Sequence, residues 1–171
     1  MAAENKEKSG GINIRKPETR DGKHFWELAK ATKTLDVNST YFYLLMCRHF
    51  ANTCMAAESQ GQMVGFVVGY IPPEDPETLF IWQVAVDENQ RGKGIGIQML
   101  IQIFNNVKAL NVKNIDATVT MSNDASIRLF TAVARQLNAP FEFEKEFFSA
   151  SDFGQNAHAP EKLFHIGPIP A

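Results

Sequence analysis

Apolar positions recur along this chain at two spacings, every second residue and every third to fourth, and the switches between the two mark its elements. Ile12 and Ile14 alternate with polar residues ahead of Pro17, which predicts a first strand over residues 11–16. Across residues 20–32, Phe25, Leu28 and Ala29 fall at helical spacing. Residues 34–40 are dense in side chains that cap helices, and Tyr41, Leu44, Leu45 and Arg48 then recur with a helical period, so Asn38 or Ser39 is expected to cap a second helix. Apolar runs at 54–58 and 63–71, joined by Ser59, Gln60, Gly61 and Gln62, give a hairpin signal with glycine in the turn. Pro72, Pro73 and Pro76 remove ladder donors, so a loop follows. Residues 79–86 are β-branched and aromatic and too short for a helix; they read as a buried strand, along which strict alternation puts Trp82 on the same face as Val84.

Met99, Leu100, Ile103, Phe104 and Val107 form one helical stripe ending near Asn111, and Ile115, Ala117, Val119 and Met121 alternate in a fifth strand. A helix starting at Ser122–Asn123 carries Ile127, Phe130, Val133, Ala134 and Leu137 on one face and stops at Asn138 and Pro140. Phe141, Phe143 and Phe147 read as a sixth strand and residues 162–166 as a seventh. The order of elements predicts an α/β fold, a mixed sheet of about seven strands flanked by about four helices. Residues 1–10 are polar, charged and glycine-ended, and are expected to form a disordered tail ahead of a single domain over residues 11–171.

Composition narrows the function classes. A chain of 171 residues can bury one substantial core. A formal charge of −2 with a pI near 6.1 supplies neither a basic field for nucleic acid nor a polybasic membrane patch. No apolar run approaches the roughly 20 residues that span a bilayer, and the N-terminus has no apolar signal core, so a cytoplasmic protein acting on small molecules is expected. The two cysteines, Cys47 and Cys54, match no metal spacing and no disulfide framework, and read as small core residues. No metal site is expected.

The turn after the strand at 79–86 carries the chemistry. Gly92, Gly94 and Gly96 let a backbone approach a ligand closely, and the N–H groups of the helix that follows point the same way. With Arg91 and Lys93 beside them, bare amides, a helix dipole and cations combine as a site for a diphosphate. The spacing is neither G-x-x-x-x-G-K-[ST] nor G-x-G-x-x-G, so it favours neither nucleotide motif. The pattern Arg91-x-x-Gly94-x-Gly96 after a V-x-V strand end, with the segment from Asn123 through Ser126 and Arg128 to Phe130 downstream, resembles the acyl-CoA pyrophosphate loop and the following helix start of the GNAT superfamily of N-acetyltransferases. That resemblance implies acetyl-CoA as co-substrate and a fourth and fifth strand that splay apart. It implies that Val84, Ala85 and Val86 pair with the pantetheine arm as a false strand. Amides of Arg91, Gly92, Lys93, Gly94, Ile95 and Gly96 would then hold the pyrophosphate, with Asn123 and Ser126 bordering the pantetheine. Phe130 stands where a tyrosine often protonates the departing thiolate in that superfamily, and a phenylalanine cannot.

The segments IRKP, TLDVNSTYFYLLMCRHFANTC, GFVVGYIPPEDPETLFIWQVAVDENQRGKGIG and HAPEKLF, spread over about residues 14–166, are similar to the L-2,4-diaminobutyrate acetyltransferases of ectoine biosynthesis. The resemblance implies acetyl transfer to the γ-amine of that diamino acid, by direct attack in a ternary complex, in a homodimeric enzyme serving osmoadaptation. It implies Asp36 as the binder of an ammonium, with Asn38 and Tyr41 beside it, and Glu161 as the group that orients or deprotonates the amine, His158 being second choice; Trp82, two residues before Val84 on the strand, would be the wall next to the reacting carbons. Each has a plainer reading as well: Asp36 satisfying loop amides, Tyr41 and Trp82 as core rings, Glu161 as a surface carboxylate. His24, His49 and His165 read as structural or exposed. Two other functions remain open at this level, a GNAT fold that senses acyl-CoA without turnover, and an acetyltransferase for another diamine or a protein amine.

Overall fold

The computed structural model of this chain describes residues 11–155 and 158–170, apart from the side chains of Glu144 and Lys145; the tail expected over residues 1–10 lies outside the described residues. The elements follow the periodicities closely. They are β1 (Ile12–Arg15), α1 (Asp21–Thr32), α2 (Thr40–His49), β2 (Cys54–Ser59), β3 (Gln62–Tyr70), β4 (Thr78–Val86), α3 (Ile95–Val107), β5 (Asn114–Thr120), α4 (Asp124–Gln136), β6 (Phe141–Phe148) and β7 (Glu161–Ile166). Seven strands join in one sheet in the order β1-β2-β3-β4-β5-β7-β6. All neighbours are antiparallel except β4 and β5, which are parallel because α3 crosses between them.

Two of the helix starts are capped by a side chain. Ser39, not Asn38, caps α2, its hydroxyl accepting from the Phe42 N–H at 3.2 Å, a contact whose loss typically costs about 1 kcal/mol. Asn123 caps α4 by accepting from the Ser126 N–H at 3.1 Å. The third helix stops at Val107, four residues short of the expected Asn111, and a 3-10 turn over Lys108–Leu110 completes the stripe before Asn111 turns into left-handed backbone.

Two cores sandwich the sheet. Met99, Leu100, Ile103, Phe104 and Val107 of α3 and Phe130, Val133 and Ala134 of α4 pack on one face against Met55, Val67, Leu79, Ile81 and Ile115. On the other face, Phe25 and Ala29 of α1 and Tyr43, Met46 and Cys47 of α2 pack against Cys54, Ala56, Phe66, Val68 and Ala85. Cys47 and Cys54 are core residues as expected, and burial pushes both thiols up to about 12, which leaves them protonated and inert at neutral pH.

The α1/α2 layer is keyed to the sheet by an ion cluster that the apolar pattern did not signal. Arg15 on β1 makes a two-pronged contact with buried Asp21 at the start of α1, at 2.7 and 2.9 Å, and also reaches Glu58 on β2. Burial alone would raise the Asp21 carboxyl, but the Arg15 fork and the Glu18 N–H outweigh it and hold the group below its ordinary value.

Candidate active site

The site begins as a fault in the sheet. From Val84 and Val67 backwards along β4, pairing with β3 runs Val68 to Gln83 and then Gly69 to Ile81, so Trp82 has no partner of its own. A β-bulge at this point resets the alternation of side chains. Leu79 and Ile81 face the α3/α4 core and so does Val84, whereas Gln83 and Ala85 face α1 and α2, and Trp82 turns to that same side with its ring 4.6 Å from Phe42. Strict alternation put Trp82 and Val84 on one face; the bulge separates them. Gly69 opposite makes room for it, since a Cβ there would lie 2.8 Å from the Phe80 carbonyl oxygen.

Just beyond the bulge the parallel pairing ends. Partners between β4 and β5 run from Thr78 with Asn114 to Ile81 with Ala117 and no further, while β4 stays with β3 to Val86 and β5 stays with β7 to Thr120. The two strands therefore diverge, leaving the β5-side edge of Val84, Ala85 and Val86 without a strand partner. A cavity of about 790 Å³ opens through the gap. Val84, Asn123, Ser126 and Phe130 line it on the α3/α4 side, and Asp36, Trp82, Gln83, His158 and Glu161 line the rest.

On the α3/α4 side the divergence meets the glycine turn. The chain's own backbone bonds run Gln90 to Asp87 and Arg91 to Glu88, then resume only where the Gln98 N–H donates to Gly94 at 3.0 Å. No carbonyl among the described residues accepts from the N–H groups in between, which include Gly92, Lys93, Gly94, Ile95 and Gly96. Gly94 is the N-cap of α3 at φ 73°, left-handed backbone that a β-branched residue resists. Arg91 and Lys93 are exposed above the turn, tethered to the Val86 carbonyl at 3.4 Å and the Gln90 side chain at 2.7 Å. Free amides at a helix start, an open backbone and two cations fit a diphosphate; the unpaired edge of β4 fits the amides of an extended arm.

On the other side the cavity wall is acidic and aromatic. Glu161 opens β7 opposite Thr120, with the His158 Nε2 at 3.7 Å from its Oε1, and the His158 ring stacks on Phe153 at 4.0 Å. Asp36 comes from the α1–α2 loop. Asp116 lines the floor and pairs across the strands with His165 at 2.6 Å, so His165 is structural, as the sequence suggested. Two expected members stand outside the cavity lining. Tyr41 is 68% exposed, because the first turn of α2 points it away from the sheet. Asn38 is half-buried; burial raises the pKa of the Tyr43 hydroxyl, and Asn38 acts on it in the opposite direction. Gln83 was missed, although a polar residue amid LFIWQVAV is itself a signal. Among the described residues no His, Cys, Asp or Glu cluster could hold a metal.

The model of the acetyltransferase (GNAT) family matches residues 20–134. The chain is 43% identical over 158 residues to the L-2,4-diaminobutyric acid acetyltransferase of Halalkalibacterium halodurans, covering 92% of this chain and 82% of that protein. To the enzyme of the same name from Chromohalobacter salexigens it is 42% identical over 157 residues, 91% of this chain and 81% of that protein. Among solved structures it is similar to the diaminobutyrate acetyltransferase from Paenibacillus lautus in complex with its substrate L-2,4-diaminobutyric acid and coenzyme A, at a TM-score of 0.89 and 40% identity over 95% of this chain and 98% of that one. Ard1 from Thermoplasma volcanium, at 20% identity and a TM-score of 0.72 over 91% of this chain and 97% of that one, shares the fold.

Proposed function

The chain belongs to the acetyltransferase (GNAT) family and, within it, to the L-2,4-diaminobutyric acid acetyltransferases; on that premise we propose that it transfers acetyl from acetyl-CoA to the γ-amine of L-2,4-diaminobutyrate, by direct attack with both substrates bound. The observation that carries this reading is the opened edge of β4, which runs from a cavity lined by Asp36, Trp82, Val84 and Glu161 toward the amide-rich turn that follows the strand. Bound acetyl-CoA supplies an activated thioester carbon. The chain's own groups do the rest.

The turn from Arg91 to Gly96 holds the pyrophosphate, and the free edge of Val84, Ala85 and Val86 fixes the pantetheine arm so that the thioester lies in the gap, with Asn123 and Ser126 at its border. Asp36 takes the α-ammonium, and the Trp82 ring walls the carbon chain. An alkyl ammonium with a reference pKa of about 10.4 is neutral in only about one molecule in two thousand at pH 7, so attack needs a proton acceptor. Glu161 takes that proton on a carboxylate oxygen, directly or through water. Phe130 is 4% exposed and rests on Phe164 at 5.7 Å; having no hydroxyl, it leaves protonation of the departing thiolate to water, which suffices for a thiol with a pKa of about 8.5.

The reading extends to a single catalytic domain over residues 11–171, supported by the one continuous sheet, and to ectoine formation during osmoadaptation as the use of the product. It extends also to a cytoplasmic homodimer. No helix among the described residues is long and apolar enough to cross a membrane, and the outer strand β6 leaves Phe141 exposed at an edge that a second copy would cover. Sedimentation at the monomer mass would contradict the dimer. Thiol release from acetyl-CoA with a panel of diamines and diamino acids tests the activity; cofactor binding without release for any amine would leave only an acyl-CoA sensor.

A further inference from the structure

Gln83 is 5% exposed in the middle of an apolar strand, and a buried amide is costly unless both its ends are bonded. Here both are. Its Oε1 accepts from the Tyr43 hydroxyl at 2.9 Å, and its Nε2 donates to the main-chain oxygen of Asp36 at 2.7 Å. The orientation of the amide is fixed by chemistry, because a carbonyl oxygen can only accept. Tyr43 is fully buried, edge-on to Phe66 at 5.8 Å. The loop that carries Asp36 is thus tied through Gln83 to a buried hub. The bulge at Trp82 makes this possible, since it turns Gln83 away from the α3/α4 core and toward α2.

We propose that Gln83, anchored by Tyr43, is a positioning residue that fixes the height of Asp36 above the splayed strands and thereby sets which length of diamino acid the enzyme accepts. The inference rests on the reading of Asp36 as the ammonium anchor. An exposed loop with no such tie would let Asp36 move by the ångström that separates one methylene from the next, and a displacement of that size is enough to blur selection.

The test is steady-state kinetics on Asp36→Asn, Gln83→Leu, Tyr43→Phe and the double variant Asp36→Asn/Gln83→Leu, with diaminobutyrate and ornithine as acceptors. Gln83→Leu is expected to raise KM for diaminobutyrate about tenfold and narrow its advantage over ornithine, with KM for acetyl-CoA within about twofold. Tyr43→Phe keeps the ring packing and should move the same parameters about threefold, so it stands in if Gln83→Leu fails to fold. The double variant should be no worse than Asp36→Asn alone, because Gln83 acts through Asp36. Unchanged KM and unchanged preference in folded Gln83→Leu or Tyr43→Phe, beside a clear effect of Asp36→Asn, would overturn the positioning role. So would equal rises for both substrates, or additive losses in the double variant. A silent Asp36→Asn would overturn the anchor reading itself, and with it any role of Gln83 through Asp36.

Discussion

The two halves of the candidate site are built from different materials. The half assigned to acetyl-CoA is mostly main chain: the edge of β4 and the N–H groups of the turn that follows it, drawn from one continuous stretch, residues 84–96. The acceptor side is mostly side chain, gathered from the α1–α2 loop, the bulge of β4, the floor of β5 and the start of β7. A main-chain site asks of the sequence only that nothing obstruct it, so glycines announce it. A side-chain site depends on which residues the tertiary fold brings together, and each member looks ordinary in its own segment.

Perturbing one side should therefore leave the other intact, and four substitutions test that from the largest effect downward. Glu161→Gln keeps the shape and removes the proton acceptor, so kcat/KM should fall on the order of a hundredfold or more across the pH range while KM for acetyl-CoA stays put; near-normal turnover would exclude Glu161 from the chemistry. Gly94→Val forces a β-branched residue into φ 73°, a strain of about 1 to 2 kcal/mol, and puts its methyls in the path of the ligand, although the Cβ itself would meet nothing nearer than Gln98 at 3.8 Å. Calorimetry with CoA should show affinity lost by more than about tenfold, with the fold kept and the acceptor preference of the residual activity unchanged. In Asp36→Asn the pattern should reverse, with KM for diaminobutyrate rising about tenfold and CoA affinity preserved.

The fourth lies outside both sides. Asp21→Asn breaks the fork with Arg15 and should cost about 2 kcal/mol of stability with little change in either KM. Because the folded Asp21 pKa is lowered, its contribution is present above the ordinary carboxylate range and lost as pH falls through the folded value. The gap in unfolding free energy between wild type and Asp21→Asn should accordingly be full at neutral pH, start to narrow near about pH 4 and close as pH falls through the lower folded value. A gap that persists at low pH would mean the carboxylate's charge is not what the cluster uses.

Elements and glycine turn were legible because each depends on local pattern. The alternation of Ile115, Ala117 and Val119 and the stripe from Met99 to Val107 predict their faces directly, and both are buried as expected. The bulge at Trp82 was not legible, since nothing in LFIWQVAV says which residue will lose its partner; the fault arises from Gly69 on the neighbouring strand and from the divergence of β5. One skipped partner moved Trp82 to the other face. Tyr41 shares a helical period with Leu44, Leu45 and Arg48, yet 68% of it is exposed, because the face of α2 that is buried carries Tyr43, Met46 and Cys47 instead. The Arg15, Asp21 and Glu58 cluster joins three elements far apart in sequence and has no periodic signature. Resemblance supplied Asp36 and Glu161 where pattern could not, Trp82 was singled out by its place two residues before Val84, and the fold gathers all three around one cavity.

The central claim is registration: one end of a short diamino acid is held at Asp36 so that only its far amine reaches the thioester. The most direct measurement supplies acetyl-CoA with L-2,4-diaminobutyrate, ornithine and lysine in parallel and identifies the acetylated nitrogen of each product by NMR. The account predicts γ-acetylation of diaminobutyrate, with ornithine, one methylene longer, slower by on the order of a hundredfold and lysine slower still. Predominant α-acetylation, or equal efficiency on all three, would contradict it.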